Sequence, residues 1–166
     1  GCSLTCKFCA TGYMKRERNL EPAEIYDQVV LIRQQAEKTL GRPLTNIVFM
    51  GMGEPLLNYQ NVLKAIEKIS SSEGLHMSPK RITVSTAGIA KMIKKLGDDD
   101  VRFNLALSLH AANDEKRNTI MPINEQNNIE VLVEALNYFY EKTGNKITFE
   151  YILLNGVNDS LEDAKE

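Results

Sequence analysis

No apolar run in this 166-residue sequence approaches the roughly 20 residues a helix needs to cross a bilayer, so a membrane-spanning helix is excluded. Positive charge is not in excess either. Its 20 lysines and arginines against 22 aspartates and glutamates give a formal charge of −2, which is not the footprint of a basic nucleic-acid-binding module. Cysteine is scarce: three cannot all pair with one another, so a disulfide framework explains them poorly. No signal-peptide pattern is read at the opening of the sequence, and a reducing cytoplasm is the expected setting. Histidine is scarcer still, with His76 and His110 alone. No Gly-x-Gly-x-x-Gly and no Walker lysine occurs, which argues against a phosphate-cradling nucleotide domain. Internal repeats and low-complexity tracts are absent as well.

What is present is ordinary globular material, 43% hydrophobic and 25% charged, long enough for one domain with a sizeable core. The sequence opens Gly1-Cys2 rather than with methionine. It closes where Ser160 reads as an N-cap with Glu162 and Asp163 in a first turn. The expectation is an internal piece of a longer protein.

Apolar spacing predicts a helix from Glu21-Pro22 through Ile25, Val29, Ile32 and Ala36 to about Leu40, stopped by Gly41 and Pro43. There follow a strand over residues 47–50, a helix carrying Val62, Ala65, Ile66 and Ile69, and a strand within 81–86. A helix over 87–96, a strand over 103–109, a helix over 129–140 and a strand over 147–154 complete the chain. Such alternation means a parallel sheet with right-handed crossovers. A (β/α) barrel and a doubly wound open sheet both fit the string. Polar residues gather after each strand: Gly53 and Glu54, Ser85 and Thr86, Ser108 and His110, Asn155 and Asn158. In parallel α/β folds that rim is the active face, although loops are polar in any case.

Cys2, Cys6 and Cys9 fall within eight residues, spaced C-x3-C-x2-C. Three thiolates do not complete a tetrahedral zinc site without a fourth ligand from elsewhere. They can hold three irons of a four-iron cluster and leave the fourth open. Both metals stay in play on spacing alone.

The segment Gly1 to Cys9, with aromatic Phe8 before the third cysteine, resembles the signature loop of the radical S-adenosylmethionine (SAM) enzymes. Gly51-Met52-Gly53-Glu54-Pro55 resembles the Gly-Gly-Glu-Pro segment after that superfamily's second barrel strand. The glycines admit close backbone approach, and Glu54 can accept from a ligand ammonium. Residues 1–12, 51–58, 81–88, 107–122 and 148–159 are similar to one family within it. These are the adenine C2-methyltransferases of 23S ribosomal RNA and transfer RNA, with their C8 resistance relatives. Ser108-Leu109-His110-Ala111 and Asn113-Asp114 are specific to it.

The resemblance implies a partial (β/α)6 barrel, truncated at both ends, with its first strand before Gly1 and its last after Glu166. It implies a [4Fe-4S] cluster on Cys2, Cys6 and Cys9. SAM would sit against Gly53 and Glu54 through its amino group, against Ser85 at its methionine or ribose end, and against Ser108, Leu109 and His110, Leu109 partly by backbone. Ser85 could instead cap a helix near Ala87, Ser108 could bond a neighbouring strand, and His110 could be a satisfied loop residue. The family reaction passes the methyl group through one cysteine and resolves the RNA adduct with another. Neither cysteine is present, so residues 1–166 alone are expected to be inactive. Implied partners are 23S rRNA, tRNA and an electron donor, with no membrane. Lys15, Arg16, Arg18, Lys80, Arg81, Lys94 and Lys95 are scattered positives that could touch phosphate or simply be solvated. The rivals are another radical SAM activity, such as glycyl-radical activation, and a non-catalytic zinc-stabilised binding domain.

Overall fold

The computed structural model describes Gly1–Glu166. Helix α1 spans Pro22–Leu40, followed by β1 (Ile47–Phe49), α2 (Tyr59–Ser70), β2 (Ile82–Thr86) and α3 (Ala90–Asp98). Then come β3 (Asn104–Ser108), α4 (Asp114–Ile120), α5 (Ile129–Thr143) and β4 (Ile147–Glu150). Caps explain most helix limits. Glu21 and Glu24 form a capping box at the start of α1, and Gly41 closes it in the left-handed conformation. Asn113 starts α4 and Asn128 starts α5, each accepting from a backbone N–H three residues on.

Three expectations shift. Helix α3 begins at Ala90 rather than Ala87, because the Ala87 N–H is held by Glu54 and the Ala90 N–H by the Asn127 side chain. Strand β4 ends at Glu150 rather than Leu154, since residues 151–154 turn away into a loop pinned by Asn158. Residues 160–166 form hydrogen-bonded turns in which Ser160 and Asp163 cap each other, without a full helix.

The four strands are all parallel in the order β1-β2-β3-β4. A doubly wound sheet reverses its order at a switch point. This one never reverses, so the chain winds in one sense, as along the arc of a (β/α) barrel. Alternation along each strand gives the sheet two unlike faces. Ile47 and Phe49, Ile82 and Val84, Leu105 and Leu107, and Ile147 pack with Val29, Ile66, Ile93, Leu132, Leu136 and Phe139 in the main core. Each of these side chains contributes roughly 1.5–3 kcal/mol when fully buried. The opposite face carries Thr83 and Ser85, Ala106 and Ser108, and Thr148 and Glu150, which the register sets side by side. Small and polar side chains thus line the inside of the arc. No helix is long and apolar enough to cross a membrane.

Candidate functional site

The cysteine loop lies over the C-terminal ends of the strands. Its backbone folds on itself through Cys2 N–H to the Thr11 carbonyl, Cys9 N–H to Cys6 and Gly12 N–H to Cys9. The Lys7 N–H anchors it to the end of α4, donating to the Ile120 carbonyl at 2.9 Å. Cys6 and Phe8 pack against a small cluster of Ala111, Ile120 and Met121. The Phe8 ring meets His110 edge-on, with centroids 4.7 Å apart. All three cysteines are free and partly buried. The Cys6 thiol is pushed up to about 11, first by burial and then by Cys2 and Cys9 beside it. As anions the thiols repel one another, so a bound cation is what would let them ionise together.

These cysteines form one wall of a cavity of about 220 Å³, whose other walls include Gly53, Glu54, Ser85, Ser108, His110 and Glu150. No three acid, cysteine or histidine groups converge on a single metal-ion position. All three cysteines line this one cavity, where a cluster would take each thiolate on its own iron.

Gly53 has φ +111°, a conformation that L side chains rarely adopt, and it delivers Glu54 into the cavity. Both Glu54 oxygens accept backbone N–H groups, from Leu56 at 3.0 Å and from Ala87 at 2.8 Å. Burial nonetheless raises its carboxyl above the ordinary range, with those hydrogen bonds opposing. Ser85 does not cap α3. Its hydroxyl donates to Glu150 Oε2 at 2.8 Å. The Ser108 hydroxyl does bond a neighbouring strand, and at the same atom, at 3.1 Å. His110 sits at φ 60° and accepts the Ile152 N–H at Nδ1, 3.0 Å, which leaves its proton on Nε2. Burial lowers its pKa, which favours the neutral ring. Leu109 stands apart. Its side chain packs on the main core, its N–H donates to the Glu150 carbonyl, and its own carbonyl accepts from Arg117.

Two residues were not singled out in the sequence. Glu150 reads as strand interior, and only its period-two relation to Thr148 marks it as inward-facing. Arg117 is fully buried and donates to the carbonyls of Ala87, Ser108 and Leu109 and to Asn124. No local pattern announces it. Asn158 braces the loop after β4 by donating to the carbonyls of His110 and Ile152, whereas Asn155 is exposed. Among the scattered cations, Arg18, Lys94 and Lys95 are paired with Glu24, Glu134 and Asp99.

Residues 1–166 match the model of the radical SAM superfamily. The chain belongs to that superfamily. It is 72% identical over its full length to the "Probable dual-specificity RNA methyltransferase RlmN" of Cytophaga hutchinsonii. It is 61% identical over 99% of its length to the protein of the same name from Flavobacterium psychrophilum. It covers 46% and 47% of those proteins, so the chain spans about half the length of the curated relatives it matches. The crystal structure of a radical SAM methyltransferase from Sphaerobacter thermophilus agrees at a TM-score of 0.94 and 42% identity, over 99% of this chain and 48% of that one. The single-sense parallel sheet is therefore the arc of a radical SAM barrel.

Proposed function

We propose that residues 1–166 form the cofactor-binding core of a radical SAM RNA methyltransferase, whose whole chain methylates C2 of an adenine in 23S rRNA and tRNA. One observation carries this reading: three free thiols, Glu54, Ser85, Ser108 and His110 converge on a single cavity at the C-terminal rim of a parallel sheet. The names of the relatives supply the substrate class. Cys2, Cys6 and Cys9 hold a [4Fe-4S] cluster. Gly53 and Glu54 receive the amino group of SAM, Ser85, Ser108 and His110 line the rest of it, and Leu109 contributes by backbone position alone. Cluster and SAM, when bound, supply the one-electron chemistry that generates the radical.

The chain's own residues do the positioning. Phe8 and the Ile120–Met121 cluster hold the cysteine loop over the rim and exclude water from one side of it. Neutral His110 offers Nε2–H as a fixed donor. The target adenine must leave its stack to reach this depth. No residue within 1–166 takes the methyl group, since the only cysteines are those of the loop. Two further cysteines and RNA-contacting surface belong to the whole cytoplasmic protein, and a separate electron donor serves as its partner.

Anaerobic iron–sulfide reconstitution tests the reading. About four irons per chain are expected. The electron paramagnetic resonance signal of the reduced protein is expected to change on adding SAM. One zinc per chain with no response to SAM would overturn it. RNA methylation by residues 1–166 alone would overturn the division of labour.

A further inference from the structure

We propose that Glu150 is a positioning residue that fixes the polarity of the SAM pocket, turning Ser85 and Ser108 into hydrogen-bond acceptors for the vicinal diol of the bound nucleoside. This rests on the SAM reading above. A carboxylate can only accept, and each serine hydroxyl has one proton. Both protons are directed to Glu150 Oε2, at 2.8 Å from Ser85 and 3.1 Å from Ser108. The two serine oxygens lie 3.4 Å apart, and both side chains line the cavity with Glu150. They face it with lone pairs and no proton. Glu150 Oε1 accepts from no protein group, so a third acceptor stands beside them.

An array of three acceptors from β2, β3 and β4 suits a ligand group that brings adjacent donors. Of the donor groups of SAM, the ammonium is assigned to Glu54. The adenine amine is flanked by ring acceptors that this array would repel. The two ribose hydroxyls remain, and they are adjacent donors. The β-sheet register makes the array rigid: Ser108 pairs directly with Glu150, and Ser85 with Ala106 on the strand between.

The test uses S-adenosylhomocysteine, which binds without redox chemistry, and its 2′,3′-dideoxy analogue, each titrated into the cluster-reconstituted protein. Wild type is expected to prefer the hydroxylated ligand by roughly 10-fold or more, the scale of hydrogen bonds to charged groups. Glu150→Gln places an amide donor in the array, and Glu150→Ala frees the serine protons. Both are expected to weaken S-adenosylhomocysteine while leaving the dideoxy analogue nearly unchanged, so that the preference disappears. A purely structural role would weaken both ligands equally and keep the preference, and that result would overturn the proposal while leaving the SAM reading intact. Failure of wild type to bind S-adenosylhomocysteine at all would overturn both.

Discussion

Arg117 has no exposed surface and no carboxylate in its first ring of partners. Burial lowers its pKa to about 10, and the guanidinium stays charged at neutral pH because four oxygens solvate it. Three of these are the carbonyls of Ala87, Ser108 and Leu109, just where β2 and β3 end. Arg117→Met would leave those oxygens unpaired at about 1–3 kcal/mol each, so a loss of at least 3 kcal/mol in urea unfolding is expected. Arg117→Lys is not expected to rescue it, because an ammonium lacks the planar fork that reaches both strand ends. Glu54 works in the opposite sense. Its folded carboxyl binds a proton more tightly than the ordinary value of 4.5, since burial outweighs its two N–H partners. Stability is therefore full below that value and falls as pH rises through the raised folded value. Without ligand, Glu54→Gln should remove this decline, while SAM binding is lost. Equal pH dependence in variant and wild type, measured by urea unfolding at pH 4 and pH 8, would count against it. The cysteines and Glu54 were legible because their chemistry sits in a short contiguous motif. Glu150 and Arg117 were not, because each acts through partners 7 to 65 residues away.

Helices α1, α2 and α5 could be read from sequence to within a few residues, because long apolar periods mark all three and glycine stops close α1 and α5. Helix α4 escaped. Its seven residues, Asp114–Ile120, offer too short a period, and the faces it buries are Arg117 and Ile120 rather than an apolar stripe. Periodicity alone did not choose between barrel and doubly wound sheet, since strand order is a tertiary fact that local pattern does not encode; the motifs at residues 1–9 and 51–55 chose the barrel through their resemblance to a known superfamily. The turn from β2 into α3 shows how tightly the layers meet. Gly88 has φ +104°, and a Cβ there would lie 2.9 Å from Leu132 Cδ2 on α5. Gly88→Ala combines backbone strain with overpacking against a fully buried leucine, so a loss of roughly 2–4 kcal/mol is expected. Thermal unfolding of Gly88→Ala alone and with Leu132→Val separates the two terms. Partial rescue by the smaller partner marks the steric share, and the remainder is the backbone's.

The sheet has two outer edges, β1 and β4, with no strand beyond either. Beside β1 runs a groove of about 410 Å³ lined by Ile25, Val29, Ile32, Leu44 and Val48, together with Met52. Val48 is 58% exposed and Met52 66%. Beside β4, Phe149 is 57% exposed and Leu153 73%. Natural sheets protect an edge with charge, proline, a bulge or a covering element, and these two carry apolar side chains instead. Residues 1–166 on their own should therefore associate through their edges as concentration rises. Sedimentation velocity over a hundred-fold concentration range should show a weight-average mass climbing above that of one chain. Val48→Lys with Phe149→Lys should restore a single monomeric species without changing the far-ultraviolet circular dichroism, because both side chains point to solvent and neither belongs to the buried core. If the unaltered chain stays monomeric throughout and the lysine variant differs in no way, the exposed edges are tolerated by the fold itself, and their apolar side chains need no covering partner.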